Sequence, residues 1–128
     1  MLTRRTVLAM AAALSFAVTV PAVAAEKFTP AALEAAQKAG KPILVEVAAP
    51  WCPTCKAQKP IIDGLTKSEK FKNFVLLSVD FDTQKDDLRA LNARSQSTLI
   101  VYKGASEVGR SVGDTNPASV EALLAKAL

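Results

Sequence analysis

Residues 43–48 read Ile-Leu-Val-Glu-Val-Ala, a run that is apolar at almost every successive position. Side chains on a strand alternate between two faces, so a strand with one wet face alternates apolar with polar. A near-continuous run needs cover on both faces. That demand selects an α/β class, with helices laid on either side of a sheet. The rest of the chain supplies the parts. Thr29-Pro30 reads as an N-cap followed by proline at the first helical position, and Gly40 as a stop, which predicts a helix over 31–39. Pro53 opens a helix running to about residue 66 with a kink at Pro60, and 68–72 add one short turn. Apolar strands are expected at 74–81 and 98–102. Thr83 is expected to cap a helix over 84–92. Lys103-Gly104-Ala105-Ser106 turns the chain into a strand at 107–112. Asn116-Pro117 starts a last helix, whose Val120, Leu123, Leu124 and Ala127 fall at helical spacing and form a buried stripe. The order α-β-α-β-α-β-β-α predicts a four-stranded mixed sheet with helices on both faces. Its early strands are parallel and its closing hairpin is antiparallel.

Residues 1–25 stand apart. Arg4 and Arg5 precede an apolar run over 7–20 that only Ser15 and Thr19 interrupt. Pro21 breaks it, and Ala22-Val23-Ala24-Ala25 offers small residues for cleavage. This is the layout of a secretory signal, cut near Ala24 or Ala25, and 26–128 would be the mature domain. The apolar run is short for a membrane span, which takes about 20 residues. Thr3-Arg4-Arg5-Thr6-Val7-Leu8 is similar to a twin-arginine signal, a pairing also common in ordinary leaders. The expected destination is the periplasm, where disulfide chemistry is open.

The 128 residues fit one domain, and half are hydrophobic, which excludes a disordered chain. Sixteen basic and 12 acidic side chains give a net charge of +4. Without the leader the balance falls to +2, too mild and too scattered to argue for nucleic acid. There is no histidine, so the chain alone builds neither a Ser-His or Cys-His pair nor a histidine metal site.

Both cysteines lie in Trp51-Cys52-Pro53-Thr54-Cys55-Lys56, where the first buried strand gives way to a helix. Residues three apart share a helix face, so the sulfurs can close a small ring. The helix start offers free N–H groups and the positive end of the dipole, which favour a thiolate over a thiol. Cys52 is expected to be the exposed nucleophile, and Cys55, on the inner side of the turn, to resolve the mixed disulfide. Such exchange needs no cofactor. An inert bridge would close too short a loop to stabilise much, and two thiolates are half of a tetrahedral metal site, so no metal is expected.

With these residues in view, the chain from about residue 41 to its end resembles the thioredoxin family. The resemblance is carried by Ile43-Leu44-Val45-Glu46, the cysteine motif, Pro60, Val79-Asp80-Phe81-Asp82, Thr98-Leu99-Ile100-Val101-Tyr102-Lys103-Gly104 and Val112-Gly113. It implies that Glu46 sits beneath the second cysteine and relays a proton to and from Cys55. A carboxylate in a buried strand needs such a role or a partner; a glutamate reaching solvent or a lysine is the plainer reading. Two departures stand out. The family's proline before the third strand is replaced by Ser97, for which a trans bond is the default. Ser78 stands where thioredoxin carries a lysine near the buried acid. Trp51, Pro53, Gln96 and Ser97 are the candidate substrate-binding residues.

Pro53-Thr54 between the cysteines, with a glutamate in the first strand, resembles exported thiol reductants of cytochrome c maturation. Oxidases of the superfamily commonly carry histidine in that dipeptide and a helical insertion, and only about 15 residues separate Asp82 from Ser97. The resemblance therefore implies a monomeric reductant of exported disulfide-containing proteins, fed by a membrane thiol carrier. An oxidase or isomerase, and a non-catalytic binding or metal-carrier module, are the alternatives.

Overall fold

A computed structural model describes residues 24–128; the expected leader, up to residue 23, lies outside the described residues. In chain order the elements are β1 (Glu26–Lys27), α1 (Pro30–Lys38), β2 (Pro42–Ala48), α2 (Pro53–Lys67), β3 (Val75–Asp80), α3 (Lys85–Ala90), β4 (Thr98–Lys103), β5 (Ser106–Val112) and α4 (Pro117–Ala125).

The strands form one sheet in the order β1-β3-β2-β4-β5. β1, β3 and β2 run parallel, while β4 is antiparallel to β2 and β5 to β4. The sheet has five strands, not the expected four. The extra strand is two charged, exposed residues whose backbone pairs with Leu77 and Ser78. Such a strand has no apolar alternation to read.

β2 sits at the centre, and its residues sort by parity. Ile43, Val45 and Val47 face a core shared with Ala36 of α1 and Leu88 of α3. Leu44 faces the other core, shared with Ile62 of α2 and Val120, Leu123 and Leu124 of α4. The expected double cover is therefore present, and Val120, Leu123 and Leu124 of α4 are buried; Ala127, expected on the same helix, is buried in the turn beyond its end.

Local chemistry sets the helix starts. Thr29 accepts the amide of Ala32 at 3.0 Å, and Asn116 accepts those of Ala118 and Ser119 at 2.9 and 3.3 Å. Thr83 caps nothing. α3 begins after Gln84, which makes no side-chain cap. The turn before it is held instead by the Asp80 carboxylate, which accepts the amides of Asp82 and Thr83 at 2.8 and 3.1 Å. Those bonds hold the Asp80 carboxyl below its ordinary range. Residues 68–73 form the expected short turn after α2 and place Phe71 edge-on to Phe74 in the α2–α4 core.

Leu124 is fully buried beneath α4, whereas Leu128, four residues on, is half exposed. Leu124→Ala is expected to lose about 2–5 kcal/mol of unfolding free energy in denaturant titration, and Leu128→Ala less than about 0.5 kcal/mol. Equal losses would mean that α4 does not dock by this stripe.

Candidate active site

β2 ends at Ala48, and a turn closed by the Cys52 amide on the Ala49 carbonyl, at 3.1 Å, delivers the chain to α2. Cys52 is the N-cap of α2, and Pro53 occupies the first helical position, where a missing N–H costs nothing. The Cys52 sulfur accepts the Cys55 amide at 3.1 Å, as a capping oxygen would. Cys52 and Cys55 are joined in a disulfide with Cα atoms 5.3 Å apart. The pair therefore sits on the N–H groups and positive end of a 15-residue helix, which stabilise negative charge on sulfur.

Exposure departs from expectation. Cys52 is only 1% exposed, and Cys55 is half-buried. Ser97, itself 3% exposed, contributes to the cover: its Oγ lies 3.2 Å from the Cys52 sulfur and 3.3 Å from that of Cys55. No cis peptide bond occurs among the described residues, and Ser97 adopts φ +65°, in the left-handed region. Its hydroxyl thus turns inward to the sulfurs and not outward. Gln96 beside it is half-buried, and no hydrogen bond engages its side chain among the described residues.

The Ser97 loop is tied from three sides. Its amide donates to the Val47 carbonyl at 2.8 Å, and its carbonyl accepts the Gly113 amide at 3.0 Å. The third tie is Gln58, buried on the same face of α2 as Cys55 and Ile62. Its Nε2 donates to the carbonyls of Ser97 at 3.2 Å and Asp114 at 3.0 Å. Gly113 takes φ +71°, and a Cβ there would meet nothing within 4 Å, so this glycine serves backbone conformation and not space. Gln58 escaped the sequence reading, although a polar residue on a buried helix face was a usable signal.

Glu46 is half-buried in β2, between Ser78 of β3 and Leu99 of β4. It shares the face of Leu44, toward α2. Burial pushes its carboxyl up; Lys59 on α2 opposes the shift and Asp63 adds to it. The cation near this acid thus comes from α2, since β3 offers only Ser78. The Cys55 sulfur lies 3.8 Å from the carbonyl of Val47, the next residue along β2. Among the described residues no hydrogen bond joins the Glu46 carboxylate to either sulfur.

Trp51 is 54% exposed beside the pair. Its Nε1 donates to Asp82 at 2.9 Å, and its ring packs edge-on against Phe81 at 6.3 Å. Lys85 stands over the other aromatic, 4.2 Å from the Phe81 ring centre. Trp51 and Pro53 therefore present apolar surface at the rim of the site, with Trp51 fixed in place by β3's trailing loop. Among the described residues no three of Cys, Asp and Glu gather as a metal-binding set.

The thioredoxin family model matches residues 20–126. The chain is 34% identical over 101 residues to a thioredoxin from Aspergillus fumigatus, spanning 77% of this chain and 91% of the relative. It is 36% identical over 93 residues to a thioredoxin from Echinococcus granulosus, spanning 73% and 84%. Among solved structures it is similar to Trxlp from Edwardsiella tarda EIB202, with TM-score 0.76 and 39% identity over 79% of this chain and 98% of that one.

Two outcomes follow from this geometry. Gln58→Leu takes a donor from the buried Ser97 carbonyl, which keeps the Gly113 amide, and from the part-buried Asp114 carbonyl, and is expected to cost about 1–3 kcal/mol of stability in denaturant titration; no loss would mean water replaces the amide at both. Glu46 binds its proton more tightly folded than unfolded, because its folded value lies above the ordinary 4.5. That contribution to stability is complete below the unfolded value and is lost as pH rises through the folded one. Glu46→Gln should therefore gain on the parent as pH climbs from acid toward neutral, read as unfolding free energy against pH. Parallel curves would place the carboxylate in solvent.

Proposed function

This chain belongs to the thioredoxin family, and on that premise we propose that it is an exported, periplasmic reductant of disulfides in other exported proteins. The chain is a protein-disulfide reductase that acts by thiol–disulfide exchange on disulfide-containing proteins, through Cys52 and Cys55. The disulfide capping the start of α2 is the observation that carries the reading. In the proposed cycle the Cys52 thiolate attacks a substrate disulfide, forming one S–S bond and expelling a substrate thiolate. Cys55, deprotonated with help from Glu46, then attacks Cys52. The second substrate thiolate leaves, and two electrons have passed to the substrate. Trp51, Pro53 and the Gln96–Ser97 loop would meet the substrate chain.

Export rests on the leader over 1–25. Direction rests on Pro53-Thr54, on Glu46 in the central strand, and on the short path from β3 to β4, which holds only the six-residue α3. An oxidising compartment drains a reductant, so a membrane thiol carrier is the proposed electron source, a monomer the working form, and cytochrome c maturation one setting that fits.

Two measurements test this. Amino-terminal sequencing of the protein from a periplasmic fraction should begin at residue 25 or 26; an intact Met1 in the cytosol would overturn export. In graded thiol buffers the Cys52–Cys55 disulfide should persist to a poise near or below roughly −250 mV, and reduction already near roughly −150 mV would make the protein an oxidant.

A further inference from the structure

We propose that the Ser97 hydroxyl is a catalytic hydrogen-bond donor shared by the two sulfurs, serving whichever carries negative charge during exchange, with Gln58 as the residue that positions it. The inference rests on thiol–disulfide exchange at Cys52 and Cys55, not on the direction or location proposed above.

The geometry is nearly symmetric. One oxygen stands 3.2 Å from the Cys52 sulfur and 3.3 Å from the Cys55 sulfur. In the disulfide neither sulfur bears a proton, so the hydroxyl is the donor in either contact. It has one proton and free rotation, and can serve only one sulfur at a time. During exchange the negative charge moves: it sits on Cys52 as that sulfur attacks or leaves, and on Cys55 as that one resolves or departs. A donor within reach of both can follow the charge by rotating about one bond, and its proton stays on Oγ throughout. A hydrogen bond to ionised sulfur is stronger than one to a neutral disulfide, so the hydroxyl favours the thiolate states over the bridge seen here.

The backbone supports the assignment. Serine at φ +65° is strained, and such conformations persist where surroundings over-determine them, commonly at functional sites. Here the ties are the Val47 carbonyl, the Gly113 amide and the buried Gln58 amide. A proline in this position would offer neither hydroxyl nor amide. The other donor to Cys52 is the Cys55 amide, which is fixed and reaches that sulfur alone. The charged groups on the elements around the pair include Glu46 on β2, Lys56, Lys59, Asp63 and Lys67 on α2, Asp82 after β3 and Asp114 after β5. Among the described residues none of them hydrogen-bonds a sulfur, which leaves Ser97 as the mobile donor.

The test compares the purified protein with Ser97→Ala and Ser97→Gly. Alanine removes the oxygen alone; glycine removes the oxygen and the backbone strain together, so it folds where alanine is burdened. Ultraviolet thiolate absorbance is followed against pH in the reduced proteins, and the pair is equilibrated with glutathione. Both variants should raise the lower thiol pKa by about one unit. Both should lower the equilibrium constant for reduction by glutathione about tenfold, close to 30 mV for this two-electron couple. Two folded variants that titrate and equilibrate like the parent would overturn the proposal. So would a change in Ser97→Ala that Ser97→Gly abolishes, because strain would then be the cause. The parent's own potential bears on direction, and only the difference between parent and variants bears on Ser97.

Discussion

The structure depends on the burial of β2. Ile43, Leu44, Val45 and Val47 are lost to solvent on both faces of the sheet, so helices must lie on both sides and the chain must cross over between parallel strands. At about 25 cal/mol for each square ångström of apolar surface removed from water, a fully buried valine or leucine contributes about 1.5–3 kcal/mol. The central strand thus anchors both cores. Its carboxyl end then has one exit, a tight turn into α2, and the cysteines stand at that exit.

The position explains the chemistry. A helix start concentrates unpaired N–H groups, and Cys52 occupies the capping place that an oxygen normally takes. The same burial that builds the core also loads Glu46, whose carboxyl is pushed up by desolvation while Lys59 pulls it back. The acid is the one titratable residue of β2, and its proton affinity is set by the packing that holds the strand.

What could be read in advance was what repeats locally. The apolar run of β2, the stripe on α4, the proline-led helix starts and the Asn116 cap each declare themselves within a few residues, and the cysteine motif names its own reaction class. What escaped depends on partners far along the chain. β1 is two charged residues whose backbone pairs with β3. Thr83 looks like a cap, but Asp80 already satisfies the turn. Gln58 meets carbonyls 39 and 56 residues away. Cys52 is covered by a loop whose inward turn follows from the backbone of Ser97, which no periodicity encodes.

The Gln58 amide has one more consequence. It joins the active-site helix, the loop before β4 and the loop after β5 through a single buried side chain. The three walls around the sulfurs are therefore tied to one another. A partner strand laid across them meets a surface whose shape is already set, and the entropy of ordering those loops is lost at folding and not at each encounter. Recognition then draws on contacts made with the partner alone. That suits a protein that exchanges disulfides with protein substrates.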